Sequence, residues 1–192
     1  MSPAYRRLLK AARVTHLYAT LFGLVLILFF AATGFMLNHE DWFLPIEPRT
    51  RTAEATVALR PGADRLDVSE AVRKAFGVGG EVKSYRADEE SVEVEYLRPG
   101  ERTLVEVRRG DGHAVATVES RGWASVFTDL HKGKSTGRAW GVVIDAVCVL
   151  LAVISATGLV LWWSLKSRGA WGAAVLLGGA AAGVVVYLVF VP

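Results

Sequence analysis

The chain has 192 residues, of which 52% are hydrophobic, and its formal net charge is +3. The mean hydropathy of +0.33 is high for a soluble domain, and long apolar runs are typical of membrane-spanning helices. The net charge is small and the basic residues are clustered, which argues against a nucleic-acid partner. The single cysteine, Cys148, cannot form an internal disulfide and leaves the redox compartment open.

The first predicted element is a membrane span near the N-terminus. Residues 1–13 are basic and carry no acid, and residues 17–37 have no charged side chain. At about 1.5 Å per residue this apolar run is about 30 Å long, enough to cross a bilayer core. A signal peptide is the alternative, but its apolar region is usually only about 7–15 residues. We therefore predict a cytoplasmic N-terminus over residues 1–13 and a transmembrane helix over residues 14–38.

Residues 39–121 predict a small α+β domain. Residues 38–56 contain two prolines and predict an irregular exit from the membrane. Residues 66–76 carry apolar side chains at a helical period, and glycines from Gly77 onward end this helix. Two hairpins follow, with strand-like runs at residues 81–86, 91–97, 103–108 and 114–119. Their alternation predicts an antiparallel sheet with one buried face, which the helix covers.

The remaining chain predicts an interfacial segment and two further spans. Residues 122–138 form an amphipathic segment and a polar collar, in which Gly133 ends a short helix. Apolar runs predict transmembrane helices over residues 139–165 and 170–191, joined by a basic cytoplasmic turn at residues 166–169. Because short basic segments mark the cytoplasmic side, residues 38–138 and the C-terminus are predicted to be periplasmic, in the inner membrane of a bacterium. The predicted fold is a membrane protein with three transmembrane α-helices and an inserted extracytoplasmic α+β domain.

Five short motifs make the chain resemble a known family. DLHKGKSTGRAWGVVID occupies residues 129–145, SATGLVLWW occupies residues 155–163, and the first span carries TH at 15–16, ATG at 32–34 and LNHEDWF at 37–43. Over nearly the whole chain, this pattern resembles the short PepSY-associated transmembrane (PepSY_TM-like) proteins of bacteria. The resemblance implies a PepSY domain, which is a helix packed on an antiparallel sheet. It also suggests haem b, because some longer relatives look like inner-membrane reductases that hold b-type haem and reduce ferric siderophores.

The haem b that this resemblance suggests needs axial side chains, and imidazole is the usual choice. His39 ends the first span and His131 precedes the second, both on the predicted outer side, so they are the predicted ligands of the haem iron. Lys132, Lys134 and Arg138 are the predicted partners of the propionates. The alternative is that interfacial histidines beside lysines contact only lipid headgroups.

Two further residues belong to the predicted site. His16 begins the first span on the cytoplasmic side, about 34 Å along a helix from His39, so the two cannot share a haem within one chain. Ligation by His16 therefore needs a homodimer or a partner protein. Asp145 lies about two turns inside the second span, where a lone carboxylate is costly. A contact with His39 would orient that imidazole, whereas a salt bridge to Arg138 would only fix packing.

The other candidate motifs carry less chemistry. The two ATG triplets, at 32–34 and 156–158, allow either close helix packing or the approach of a flat macrocycle. His113 lies near a hairpin turn and is predicted to be solvated. The segment around Gly133 and Lys134 lacks the earlier glycine that a P-loop needs. No catalytic residue is predicted, because no Ser-His-Asp set, HExxH motif or paired-cysteine zinc motif occurs.

The predicted function is electron transfer through haem b toward a periplasmic acceptor such as ferric iron or a flavoprotein. The chain would be a membrane oxidoreductase or an electron-transfer subunit, in the lipid bilayer, with a redox or iron-uptake partner. The alternative is a non-catalytic membrane-anchored protein whose PepSY-like domain binds and restrains a periplasmic partner. Haem or metal handling without electron transfer is a third alternative.

Overall fold

The computed structural model describes residues 2–45, 47–60, 62–165 and 169–192. The helices there are α1 (Pro3–Asn38), α2 (Glu40–Phe43), α3 (Arg65–Phe76), α4 (Trp123–Lys132), α5 (Gly137–Trp163) and α6 (Gly169–Phe190). The strands are β1 (Arg49–Thr56), β2 (Glu81–Ala87), β3 (Ser91–Arg98), β4 (Glu101–Arg108) and β5 (His113–Ser120). The chain divides into two compact units, one formed by residues 1–26 with 146–192 and the other by residues 27–145.

Within the described residues, three helices are long and apolar enough to cross a membrane. They are α1, α5 and α6, with 36, 27 and 22 residues and mean hydropathies of 2.3, 2.4 and 2.3 over their most apolar windows. Helix α1 begins at Pro3, so the basic N-terminal segment continues directly into the apolar helix. Of the predicted turn at 166–169, residues 166–168 lie outside the described residues. The apolar side chains along these helices are largely exposed in the isolated chain, which fits a lipid surrounding.

The five strands form one antiparallel sheet in the order β1-β5-β4-β3-β2. Burial alternates along β3 and β4, because successive side chains of a strand point to opposite faces. The buried side chains form a core that includes those of α3, so the helix covers one face as predicted. The core consists of Val57, Val68, Val72, Val92, Val94, Tyr96, Val105, Val107, Ala114 and Ala116.

Strand β1 corrects one expectation. Residues 49–56 were predicted to belong to an irregular exit from the membrane, which was wrong, because they form an eight-residue strand. The segment RTRTAEAT has no apolar alternation, and its side chains are almost all exposed. An antiparallel ladder to β5 holds it, from Arg49 opposite Ser120 to Thr56 opposite His113. Long-range pairing therefore makes this strand, and the sheet has five strands instead of the predicted four.

Helix ends follow the local sequence as expected. Asp64 caps α3 by accepting a hydrogen bond from the backbone N–H of Asp67 at 2.8 Å. Gly77 ends α3 and Gly133 ends α4, both in the left-handed region at φ 63° and 67°. Glycine adopts this conformation without the steric cost that other residues meet. The predicted ends of both helices are confirmed.

The buried phenol of Tyr96 makes the stability of the domain sensitive to alkali. Tyr96 is 1% exposed, and its hydroxyl donates to the backbone oxygen of Ser69 at 2.6 Å. Burial raises the pKa of Tyr96 to about 12, against the opposing charge of Arg73. The pKa of Tyr96 in the folded domain exceeds the unfolded value of about 10. The phenol's contribution to the free energy of unfolding is therefore complete below about pH 10 and is lost as the pH rises toward about 12.

We expect Tyr96→Phe to remove this alkaline loss, which is about 1–1.5 kcal/mol at about pH 11 and reaches roughly 2–3 kcal/mol only above about pH 12. At neutral pH the same change costs about 1 kcal/mol, because one buried hydrogen bond is lost. Pulse proteolysis of the full chain in urea, at about pH 7 and about pH 11, measures both effects. An equally steep alkaline loss in the variant would assign it to another group.

Candidate functional site

Helix α4 places His131 against one face of α1. Its Nδ1 lies 2.7 Å from Oγ1 of Thr33, and its ring centroid is 5.2 Å from that of Phe30. A Cβ added to Gly34 would lie 3.2 Å from Cε1 of the same imidazole. Residues 30, 33 and 34 share one helical face because they are three and four positions apart. The imidazole therefore packs against α1 at Thr33, which supplies a hydroxyl, and at Gly34, which has no side chain to obstruct the ring.

Several contacts hold the segment around His131. The indole Nε1 of Trp140 donates to the backbone oxygen of Leu130 at 2.8 Å, and the ring of Trp140 meets Phe29 of α1 edge-on at 6.2 Å. On the sheet side, the backbone N–H of Gly100 donates to Oδ2 of Asp129 at 2.8 Å. The residues just before His131 are thus held by the sheet and by the first turns of α5.

His16 makes a similar set of contacts in the other unit. Its Nδ1 lies 3.0 Å from Oγ1 of Thr157 and 3.1 Å from the backbone oxygen of Ile154. A Cβ added to Gly158 would lie 3.4 Å from Cε1 of His16. Both histidines thus contact a Thr-Gly pair, and both pairs belong to ATG triplets. The matching triplets were visible in the sequence, but their contacts with histidine were not predicted.

His39 has different surroundings. It lies between α1 and α2, stacks on Trp42 at 4.1 Å with an interplanar angle of 16°, and has Phe35 at 4.6 Å. At about 100° per residue, Phe35 lies about 100–200° around α1 from Gly34 and Thr33, which contact His131. The two imidazoles therefore have separate contacts on α1, and their joint ligation of one iron stays a prediction.

The charged residues of the predicted site are mostly exposed. Lys132 Nζ lies 2.9 Å from Oε1 of Glu40, a pair that is nearly half exposed and worth at most about 1 kcal/mol. Lys134 and Arg138 are exposed. Asp145 is also exposed, and no hydrogen bond or ion pair joins it to another described residue. Its predicted contacts with His39 and Arg138 are not among those described, and its supporting role at the site stays a prediction.

A conventional metal centre does not form within the described residues, because no three His, Cys, Asp or Glu side chains are grouped to hold an ion there. A porphyrin iron needs only one or two side-chain ligands, because the macrocycle supplies the others. His113 is partly exposed, and its Nε2 lies 3.4 Å from Glu54. This position agrees with the solvated histidine that was predicted.

The fold and the site together define a helical membrane protein that carries a small α+β domain and places two histidines against Thr-Gly pairs. The chain belongs to the PepSY_TM-like family, whose model matches residues 7–192. This match confirms the resemblance seen in the sequence and identifies a membrane PepSY-associated protein. No curated protein and no solved structure matches the chain.

Proposed function

We propose that this protein binds haem b in the bacterial inner membrane and passes electrons toward a periplasmic acceptor, as a ferric reductase does. In this proposal the N-terminus is cytoplasmic, and residues 38–138 and the C-terminus are periplasmic. One observation carries the proposal. Nδ1 of His131 is held by Thr33, whereas its Nε2 makes no hydrogen bond within the described residues. An imidazole held in this way presents Nε2, a usual nitrogen for iron ligation.

The residues around His131 suit such a group. Gly34 lets the imidazole pack closely against α1, which holds the ring in place, because a Cβ there would come within 3.2 Å of Cε1. Lys134 and Arg138 are exposed cations close to His131 in the sequence, so they are the proposed partners of the propionates, while Lys132 contacts Glu40. Haem held there supplies a one-electron Fe(III)/Fe(II) couple. The chain's own part is to hold the iron through Nε2 and to neutralise the carboxylates.

The second axial ligand in the proposal is His39. Its ring stacks on Trp42, and in the other form of the proposal the second imidazole comes from another copy of the chain. His16 is the proposed ligand of a separate haem in a homodimer or with a partner protein. Its support is the same: Nδ1 is held by Thr157 and Ile154, and no hydrogen bond to Nε2 is present among the described residues.

The test is a visible spectrum of detergent-solubilised protein, expressed with haem available, before and after dithionite. We expect a Soret band that shifts on reduction, and we expect His131→Ala to remove most of the absorbance assigned to its site. His113→Ala is the matched control, because His113 lies in the sheet domain beside Glu54. A colourless wild-type protein with intact helices would reject the proposal. If His39→Ala keeps a low-spin spectrum, the second ligand is not His39 of the same chain.

A second candidate is a membrane-anchored interaction protein without redox activity. It is supported by β1, an exposed strand at one edge of the described sheet, since such edges accept added strands from partners. The domain for this test must include all of β1, so it should run from about residue 47 to about residue 121. In this reading a purified periplasmic partner binds the domain as tightly as the full chain. A partner that binds only the full chain would contradict it.

A further inference from the structure

We infer that Thr33 and Thr157 are positioning residues that fix the tautomer of His131 and His16, with the proton on Nδ1 and the lone pair on Nε2. These are the tautomers of the protein without any bound group. The inference rests on the proposed function only in the statement that Nε2 faces an iron. The tautomers themselves follow from the hydrogen bonds of the described residues.

The hydroxyl of Thr33 indicates which ring nitrogen of His131 carries the proton. That hydroxyl lies 2.7 Å from the backbone oxygen of Phe29 and 3.3 Å from that of Phe30. A carbonyl oxygen only accepts, and a hydroxyl has one proton. A threonine within a helix commonly donates that proton to the carbonyl four residues earlier, so we assign the Thr33 proton to Phe29. The short contact of 2.7 Å with Nδ1 is then a bond that His131 donates. Thr33 is 3% exposed, so water cannot readily replace either partner.

Two observations indicate that the proton of His16 is on Nδ1. The hydroxyl of Thr157 lies 2.7 Å from the backbone oxygen of Val153 and therefore accepts from the imidazole by the same reasoning. In addition, Nδ1 of His16 lies 3.1 Å from the backbone oxygen of Ile154, which can only accept. Nδ1 of His16 thus donates to two acceptors, whereas Nδ1 of His131 donates to one. The tautomer of His16 should depend less on its threonine.

The glycine after each threonine completes the arrangement. Added Cβ atoms at Gly34 and Gly158 would lie 3.2 Å and 3.4 Å from Cε1 of the respective imidazoles. The hydroxyl therefore binds one ring atom, and the missing side chain makes room for its neighbour. The same pair of contacts occurs in both units, between different helices, which is more than packing alone requires. A neutral imidazole carries one N–H, so Nε2 is left with its lone pair in both.

The test is ¹⁵N NMR of histidine-labelled full-length protein, grown without haem, in detergent at about pH 8, where an ordinary imidazole is neutral. Each signal is assigned from its loss in the corresponding His→Gln variant. We expect His131 and His16 to show a protonated Nδ1 and an unprotonated Nε2. Thr33→Val, which keeps the shape but removes the hydroxyl, should shift the protonation of His131 from Nδ1 toward Nε2. Thr33→Ser should restore the wild-type signals.

Thr157→Val should change His16 less, because Ile154 remains as an acceptor, and neither variant should alter the signals of His39 or His113. A wild-type His131 that carries its proton on Nε2, or a Thr33→Val variant with unchanged signals, would overturn the inference. The wild-type spectrum decides the first point even if the valine variant does not fold. This sample contains no haem, so the tautomers are measured independently of haem binding. If the protein expressed with haem available is colourless and the haem-free protein shows the expected tautomers, the proposed function is rejected and this inference stands.

Discussion

Val94→Asp is expected to unfold the five-stranded domain. Val94 is 0% exposed and lies on β3 between Tyr85 of β2 and Val105 of β4. The core residues around it are apolar, so the new carboxylate would be buried among apolar side chains. Such burial costs several kcal/mol, which is comparable with the total stability of a small domain, about 5–15 kcal/mol. Limited tryptic cleavage within residues 47–121 of the full chain, followed by mass spectrometry, measures the effect.

The matched control is Glu93→Gln, one position away on the opposite face of the same strand. Glu93 lies opposite Glu106 and 3.6 Å from Arg86. Removing its charge loses a weak exposed ion pair but also relieves a like-charge pair, so the net change should be within about 0.5 kcal/mol. Equal resistance of the Val94→Asp variant and the wild type to trypsin would mean that Val94 is not in the core.

Elements with a strong local pattern were predictable from the sequence. The alternation in residues 91–97 and 103–108 gave β3 and β4, and the glycines after each hydrophobic period gave the ends of α3 and α4. Strand β1 was missed because RTRTAEAT carries no alternation, and only its ladder to β5 makes it a strand. A short polar segment can therefore be recognised as an edge strand only when its partner is known.

Less of the site than of the fold could be predicted from the sequence. The histidines at the helix ends were recognised, and so were the two ATG triplets. The pairing of His131 with Thr33 and of His16 with Thr157 depends on how far one helix is shifted along another. A sequence with few polar residues in its spans does not reveal that shift. The predicted pair of His39 and His131 rested on their position along the chain, whereas their contacts depend on which face of α1 each one meets.

Gly100→Val is expected to destabilise the link between the sheet and α4. Gly100 has φ 74°, a left-handed conformation that costs other residues about 1–2 kcal/mol. An added Cβ would lie 2.6 Å from Cγ2 of Val126 and 3.0 Å from its backbone nitrogen, so α4 itself would have to move. Overpacking of this kind costs about 1–3 kcal/mol. We therefore expect the free energy of unfolding, measured by pulse proteolysis, to fall by about 2–5 kcal/mol.

The same substitution tests whether the sheet domain supports the histidine site. The N–H of Gly100 donates to Asp129, two residues before His131, so displacing α4 should also disturb the contact between His131 and Thr33. The expected result is that His131 populates both tautomers, with the proton on Nδ1 or on Nε2, in the haem-free NMR spectrum. Gly110→Val, in the turn between β4 and β5, is the control, because an added Cβ there meets nothing within 4 Å. A Gly100→Val protein with unchanged His131 signals would show that α1 and α5 alone hold the imidazole, without help from the sheet.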